Sequence, residues 1–145
     1  MTAMRVEVAL AMAEREGCWL LQLRDDIEGI VHPGTWGLFG GHLDPGETPE
    51  QALRRELREE INWEVHDLSF WFLHHNLQRD AHFFRTTLAV PLGALDLREG
   101  QDLTLASLDD LRSGSIWSPR RCESRPLAPS LQRAVEMLVQ EGWTP

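Results

Sequence analysis

The stretch of sequence that decides the fold spans residues 41–63 and reads GHLDPGETPEQALRRELREEINW. Thr48 is a preferred helix N-cap, Pro49 suits the first helical position, and Gln51 completes a capping box. Neither Gly nor Pro interrupts the segment that follows, and Asn62 tolerates the left-handed conformation that ends helices. The pattern therefore predicts one well-capped helix after a turn-rich loop.

The acidic residues of this helix fall on one side. At about 100° of rotation per residue, a stripe of apolar residues spaced four apart should face the core: Leu53, Leu57 and Ile61. Glu56 and Glu60 share the neighbouring face, with Glu59 just beyond them. Like charges repel one another, and a hard divalent cation such as Mg²⁺ or Mn²⁺ would neutralise them. The simpler alternative is a solvated acidic face, because Glu-rich helices are common.

On either side of this segment, apolar runs predict strands. They lie at residues 6–12, 18–23, 63–73, 82–90 and 103–106, and the first two form a hairpin candidate. The later segments are a short helix at 107–112, an irregular stretch at 113–125 and an amphipathic helix at 126–142. The apolar side of that last helix carries Leu131, Ala134, Val135, Leu138 and Val139. We expect an α+β fold, an α/β/α sandwich with a mixed β-sheet between helices, in a single domain of residues 1–145.

The chain is acidic and contains no lysine. All 14 basic residues are Arg, and the 23 acidic residues give a formal net charge of -9. P-loop NTPases and Schiff-base enzymes are excluded, because both need a lysine. The negative field argues against a nucleic acid polymer or a membrane surface as the partner. The sequence shows no signal-peptide pattern and no apolar run approaching ~20 residues, so we expect a cytoplasmic protein.

The spacing of the charged residues resembles the Nudix box, G-x5-E-x7-R-E-U-x-E-E-x-G-U, in which U is a bulky apolar residue. In this chain it reads Gly41-x5-Glu47-x7-Arg55-Glu56-Leu57-x-Glu59-Glu60-x-Asn62-Trp63. One fixed position departs from the pattern, since Asn62 stands where the family has Gly. Asn is a common substitute for Gly at positive φ, so the turn should be preserved. The chain therefore resembles a compact, MutT-like member of the Nudix hydrolase family.

The resemblance implies hydrolysis of the diphosphate linkage of a small-molecule nucleoside diphosphate derivative. It assigns the ligands of Mg²⁺ or Mn²⁺ to Glu56, Glu59, Glu60, Glu99 and the carbonyl of Gly40. Glu59 is the favoured water-activating ligand, and Glu56 is the alternative. Arg55 and Glu47 are expected to pair and to orient the helix and its loop. A bound metal also offsets the repulsion between these carboxylates and an anionic substrate.

The substrate class is narrowed mainly by features that the chain lacks. The sequence has no Tyr of the kind that dinucleoside polyphosphate hydrolases use and no Pro between residues 75 and 82, where ADP-ribose hydrolases tend to have one. We therefore expect a nucleoside triphosphate, common or oxidised, to be cleaved to the monophosphate and pyrophosphate. ADP-ribose, a nucleotide sugar and a non-catalytic nucleotide-sensing role remain alternatives, as do a monomer and a homodimer.

Three further residues are candidates for binding the substrate. Arg24 follows the second predicted strand, where members of the family often place a phosphate-contacting base. Trp36 and Phe39 precede the box and are placed to stack on a nucleotide base. Packing in the core is an equally good interpretation of these two aromatic residues.

Overall fold

The computed structural model describes residues 5–143. Within this range the strands are β1 (Val6–Arg15), β2 (Cys18–Leu23), β3 (Trp36–Gly37), β4 (Gly40–His42), β5 (Ser69–His75), β6 (Arg79–Thr87), β7 (Asp102–Ser107), β8 (Ser115–Ser118) and β9 (Glu123–Pro126). The helices are α1 (Pro49–Ile61), α2 (Leu108–Ser113) and α3 (Pro129–Gln140).

The mixed sheet is built around β1. Five strands follow the order β3-β2-β1-β6-β5, while β4 pairs with β1 and β7 pairs with β2. β1 lies parallel to β6 from Val6, opposite Arg79, to Glu14, opposite Thr87. A parallel pair needs a crossover connection, and α1 lies in the chain between these two strands. Both faces of β1 are covered, which explains why residues 8–13 are apolar and buried without alternation.

Helices cover the two faces of this sheet. Alternate residues of β1 enter two different core clusters, one for each face. The first cluster is completed by the predicted stripe of α1: Leu53, Leu57 and Ile61. The second is completed by four buried residues of α3: Leu131, Ala134, Val135 and Leu138. The predicted α+β sandwich is confirmed, and no helix in the described part of the chain is long and apolar enough to cross a bilayer.

The strand predicted at residues 63–73 is wrong in its first half, because β5 begins only at Ser69. The preceding backbone is bound by helix α1 instead. Arg54 Nη1 donates to the carbonyl of Val65 at 2.7 Å, and Nη2 donates to the carbonyl of His66 at 3.1 Å. These hydrogen bonds occupy carbonyls that a neighbouring strand would otherwise pair.

The prediction of an irregular segment at residues 113–125 is also wrong. It contains the antiparallel hairpin of β8 and β9, in which Ser118 lies opposite Glu123. The buried carboxylate of Asp102 in β7 accepts a hydrogen bond from Ser118 Oγ at 2.7 Å. A long-range contact therefore anchors a hairpin whose strands are too short to show a clear alternating pattern.

The predictions near the two ends of the described chain are confirmed with two exceptions, both in α3. β1 and β2 form the expected hairpin, although only Glu14 and Arg15 of β1 pair with β2. Toward the start of β1, β4 pairs with it instead, while β6 occupies the other edge of β1. The helix predicted at 126–142 exists as α3 but is shorter, because Pro126 ends strand β9 and the helix begins at Pro129. Val139 is 46% exposed, contrary to the prediction, because it lies roughly 80° around the helix from Leu131.

Candidate active site

Helix α1 is fixed at both ends as the sequence predicts. Gln51 N–H donates to Thr48 Oγ1 at 3.1 Å, and Thr48 N–H donates to Gln51 Oε1 at 3.0 Å. At the other end, Asn62 adopts a left-handed φ of 53° and its N–H donates to the carbonyl of Arg58 at 3.0 Å. An N-cap of this kind contributes about 1 kcal/mol to the free energy of unfolding. The caps fix where the helix starts and stops, and therefore which way its glutamates point.

Three glutamates meet beside this helix, and we call Glu56, Glu60 and Glu99 the carboxylate cluster. One oxygen of each lies within 4.8 Å of the other two. Glu99 comes from the loop before β7, and that loop is attached to the helix end because Arg98 N–H donates to the carbonyl of Glu60 at 2.8 Å. Gln22 Nε2 also donates to the carbonyl of Glu99 at 3.0 Å. The cluster is thus assembled from two distant parts of the sequence.

Glu60 is the most buried member of the cluster, with 4% of its surface exposed. Burial first, and the neighbouring Glu99 next, raise the pKa of Glu60 to about 10, although Gly40 N–H donates to its Oε1 at 2.9 Å. Burial also raises the pKa of Glu56. Carboxylates this close cannot all ionise without a cation between them. An all-oxygen donor set suits Mg²⁺ or Mn²⁺, so these residues fit a hard divalent ion.

Two glycines let the backbone pass close to the cluster. A Cβ on Gly41 would lie 2.9 Å from the carboxyl carbon of Glu56. A Cβ on Gly40 would lie 2.0 Å from the carbonyl oxygen of Ala9, and its φ of 137° is one that L-residues rarely adopt. Glycine is therefore needed at position 40, whereas a side chain at position 41 would displace the Glu56 carboxylate; both glycines line the same cavity as the carboxylates.

Arg55 is surrounded by carboxylates. Its Nε and Nη2 atoms donate to the two oxygens of Glu47 at 2.8 and 2.9 Å, which is the pairing expected from the sequence. Its Nη1 atom donates to Glu56 at 2.9 Å, and Asp44 lies 3.3 Å from Nε. The hydrogen bonds from Arg55 lower the pKa of Glu47 to about 2. Arg55 thus ties the loop before α1 to the carboxylate cluster.

Glu59, the favoured water-activating residue of the sequence analysis, lies apart from the carboxylate cluster. Its side chain is 58% exposed and contacts Arg55 Nη1 at 3.2 Å. Helical rotation separates it from Glu60 by about 100°, which turns it toward solvent. The structure therefore places Glu59 at the solvent edge of the site, linked to Glu56 through a shared arginine.

A cavity of about 350 Å³ opens beside the carboxylate cluster. Its wall includes the three glutamates and two arginines, Arg24 and Arg79. Neither guanidinium forms an ion pair with a carboxylate of residues 5–143, although Arg24 Nε donates to the carbonyl of Val31 at 2.9 Å. Burial and the neighbouring Arg24 lower the pKa of Arg79. The cavity therefore exposes both anionic and cationic groups to one bound molecule.

Arg79 lies outside the residues predicted from the sequence. It stands far from the box along the chain and reaches the site only through the pairing of β6 with β1. The alternation along β6 carries a signal, because Arg79 shares a side of the strand with Ala81 and Phe83, which are buried in the core. A charged side chain on the buried side of a strand is stable only where it meets polar groups or water. For Arg79 that place is the cavity.

Trp36 and Phe39 are not available to stack on a nucleotide base. Trp36 is fully buried, and its indole N–H donates to the carbonyl of Ile116 at 2.9 Å. Phe39 is 1% exposed and belongs to the core cluster under α1. The hydrophobic gain of enclosing both rings explains why core packing, the alternative interpretation, is the one observed.

The buried Glu60 makes the stability of the metal-free protein depend on pH. An unfolded chain releases this proton near pH 4.5, whereas the folded protein holds it until about pH 10. Between these values the folded state binds more protons, so the free energy of unfolding falls as pH rises. We expect the Tm in EDTA to fall from pH 5 to pH 8, and Mg²⁺ to restore it most at pH 8. E60Q should lack both effects, and an unchanged pH dependence in E60Q would contradict this account.

The class of domain to which the capped helix and the carboxylate cluster belong is shown by comparison with known protein families. A model of the NUDIX domain family matches residues 3–117, which is most of the chain. The protein therefore belongs to the NUDIX family, and the resemblance noted in the sequence is confirmed.

Individual relatives agree with this assignment. The chain is 39% identical over 66 residues to the nucleoside triphosphatase NudI of Salmonella arizonae, an alignment covering 44% of this chain and 46% of that protein. The chain thus spans about half the length of the curated relatives it matches. Among solved structures, a MutT NUDIX hydrolase from Burkholderia pseudomallei has a TM-score of 0.70 at 21% identity, covering 92% of this chain and 98% of that chain. The NUDIX domain of Shewanella oneidensis NrtR, complexed with ADP ribose, has a TM-score of 0.73 at 17% identity, covering 98% and 91%. At these identities the structures show the fold alone.

Proposed function

We propose that this protein is a metal-dependent hydrolase of the diphosphate linkage of a nucleoside diphosphate derivative. Its proposed substrate is a nucleoside triphosphate, common or oxidised, which it cleaves to the monophosphate and pyrophosphate. The observation that carries this proposal is one cavity shared by the carboxylate cluster and two arginines that form no ion pair with a carboxylate of the described residues. Carboxylates alone repel a polyphosphate, but the same site attracts it once a divalent cation is bound. The NudI relatives are named nucleoside triphosphatases, which supports the triphosphate.

We assign the metal to Glu56, Glu60 and Glu99, with the carbonyl of Gly40 as a further ligand. When bound, Mg²⁺ or Mn²⁺ lowers the pKa of a coordinated water and offsets charge on the phosphates. Glu60 must lose its proton to act as a ligand, and the hydrogen bond from Gly40 N–H stabilises the resulting carboxylate. Arg55, paired with Glu47, holds the helix and the loop before it in the same relative position when Glu60 loses its proton and the metal binds.

Glu56 is the proposed acceptor for the proton of the attacking water. Its carboxylate lines the cavity, and the hydrogen bond of 2.9 Å from Arg55 Nη1 holds one of its oxygens in place. Glu59 is the alternative that the family resemblance favours. It lies at the solvent edge and is held by Arg55, so we propose it as a further metal ligand on that side.

Arg24 and Arg79 are proposed to bind the phosphate groups. A guanidinium presents parallel N–H groups that match the oxygens of a phosphate. A partly buried cation without a carboxylate partner gains strongly from an anionic ligand. The cavity volume of about 350 Å³ is within the range of small-molecule sites, which reaches from about 300 to 1,000 Å³.

Two other functions remain as alternatives. The likeness to the NrtR domain with bound ADP ribose favours a site for ADP-ribose or a nucleotide sugar. A non-catalytic nucleotide sensor is the third candidate. The complete carboxylate cluster argues for turnover, because a sensor that only binds nucleotide has no need of three converging acids.

We also propose that residues 1–145 act as one domain, either as a monomer or as a homodimer. The cavity supports the single domain, because Val8 near the start of the chain and Ser130 near its end line the same space. Both core clusters are built on one sheet, so neither half of the chain has a core of its own.

The proposed reaction is tested by measuring phosphate and pyrophosphate released from a panel of nucleotides. The panel holds common and oxidised nucleoside triphosphates, ADP-ribose, nucleotide sugars and dinucleoside polyphosphates, each with Mg²⁺ or Mn²⁺. We expect triphosphates to give equal amounts of monophosphate and pyrophosphate, and EDTA to abolish both. If ADP-ribose is the only compound hydrolysed, the triphosphate is not the substrate and ADP-ribose takes its place. Thermal stabilisation by nucleotides without any turnover would favour the sensor.

A further inference from the structure

Residues 24–35 connect β2 to β3 and form part of the cavity wall; we call them the cavity loop. Ile30, Val31 and His32 all line the cavity. Neither core cluster includes Ile30 or Val31, and Val31 is 63% exposed. Because hydrophobic burial does not hold this loop, its position depends on hydrogen bonds and ion pairs.

Arg125 in β9 supplies such contacts from a distant part of the chain. Its Nε atom donates to the carbonyl of Gly34 at 2.6 Å, and its Nη2 atom lies 3.3 Å from a carboxylate oxygen of Asp26. The guanidinium lies directly on the loop backbone, since a Cβ on Gly34 would be 1.9 Å from Nη2. Only 27% of the Arg125 side chain is exposed. The absence of a side chain at Gly34 is therefore what allows this contact.

The same stretch of loop carries a phosphate-binding candidate. Gly34, which Arg125 holds by its carbonyl, donates its own N–H to the carbonyl of Asp25 at 3.0 Å and so closes the base of the loop. At the first position of the loop, the side chain of Arg24 is oriented by its hydrogen bond to the carbonyl of Val31. Displacement of the loop therefore moves both the apolar wall of the cavity and the guanidinium of Arg24.

We propose that Arg125 is a positioning residue that fixes the cavity loop and thereby sets the affinity of the site for its nucleotide. This inference rests on the proposed function. Arg125 does not line the cavity and makes no contact with the carboxylate cluster. Its loss should therefore weaken nucleotide binding and leave the chemical step intact.

The test compares R125Q and R125K with R121Q. Arg121 is a matched control, because it lies in the same hairpin, is 54% exposed and, within residues 5–143, pairs only with Glu123 at 4.0 Å. Steady-state kinetics with a nucleoside triphosphate give KM and kcat. Calorimetry with an α,β-methylene triphosphate analogue and Mg²⁺ gives Kd without turnover. Hydrogen exchange of the Gly34 amide, which closes the loop base, reports the position of the loop directly.

We expect R125Q to raise KM and Kd about tenfold, because that is the effect of losing one charge-assisted hydrogen bond. Its kcat should stay within about twofold of the parent value, and exchange at Gly34 should quicken. R125K retains the charge but has one nitrogen in place of the guanidinium fork, so it should fall between R125Q and the parent, while R121Q should match the parent. Unchanged exchange and Kd in R125Q would overturn the proposal, as would a fall in kcat at constant KM. If the parent turns nothing over, Kd and exchange still decide the role of Arg125, while the proposed reaction alone fails.

Discussion

Replacing Glu56 with Gln is expected to lower kcat by about 1,000-fold, within the range of a lost general base. The amide has nearly the same size, but it neither accepts the proton of an attacking water nor supplies an anionic metal ligand. The fold should survive, because Glu56 forms one ion pair, with Arg55, and that arginine retains its contacts with Glu47. Rates measured across pH should also lose the acidic limb that protonation of this carboxylate produces.

Two variants on the same helix make this result specific. E59Q removes an exposed carboxylate that pairs with Arg55 and is proposed as a further metal ligand at the solvent edge. Because Glu56, Glu60 and Glu99 would still hold the metal, we expect a loss of only about fivefold. E50Q alters an exposed glutamate paired with Arg54 at 3.5 Å, outside the cavity lining, and should leave kcat unchanged. A larger loss in E59Q than in E56Q would return the role of the base to Glu59, as the family resemblance suggests.

The features that sequence predicts well here are local. The capping box at Thr48 and Gln51, the left-handed Asn62 and the buried face of α1 all depend on residues a few positions apart. The same holds for the pair of Arg55 and Glu47, which a short loop and about two helical turns bring together. In each case the backbone geometry of a single segment decides which atoms meet.

Features that depend on tertiary packing are harder to predict from local sequence patterns. Helical periodicity places Glu59 beside Glu56 and Glu60, but only the approach of the Glu99 loop to the Glu60 side decides which carboxylates converge. Arg79 reaches the site through the parallel pairing of β1 and β6, which no local motif encodes. These positions are fixed by contacts between segments that are remote in sequence.

The predictions that rest on aromatic residues or on strand-like composition fail for a related reason. Trp36 has the composition of a base-stacking residue, yet a hydrogen bond to Ile116 and full burial show that it serves the core. Residues 63–68 have the composition of a strand, yet Arg54 occupies their carbonyls. In both cases a partner elsewhere in the chain outweighs the local preference.

The second large effect is expected at Arg55, which contacts four carboxylates at 2.8 to 3.3 Å. R55Q should lower kcat by about 100-fold, because several charge-assisted hydrogen bonds are lost together. The hydrogen bond from Arg55 holds down the pKa of Glu56 against the effect of burial, so its removal raises that pKa further. The acidic limb of kcat/KM should then move to higher pH in R55Q.

R58Q is the matched control for this substitution. Arg58 lies on the same helix, is 47% exposed and, among the residues that the structure describes, pairs only with Glu64 at 3.7 Å, so its loss should change neither kcat nor the pH profile. R55K keeps the charge but loses the planar fork that binds both oxygens of Glu47, and should recover only part of the rate. If R55Q loses activity without any shift of the acidic limb, Arg55 acts by holding the loop before α1 rather than by tuning Glu56. If R55Q and R58Q behave alike, the carboxylate cluster is positioned by the caps and packing of α1 alone.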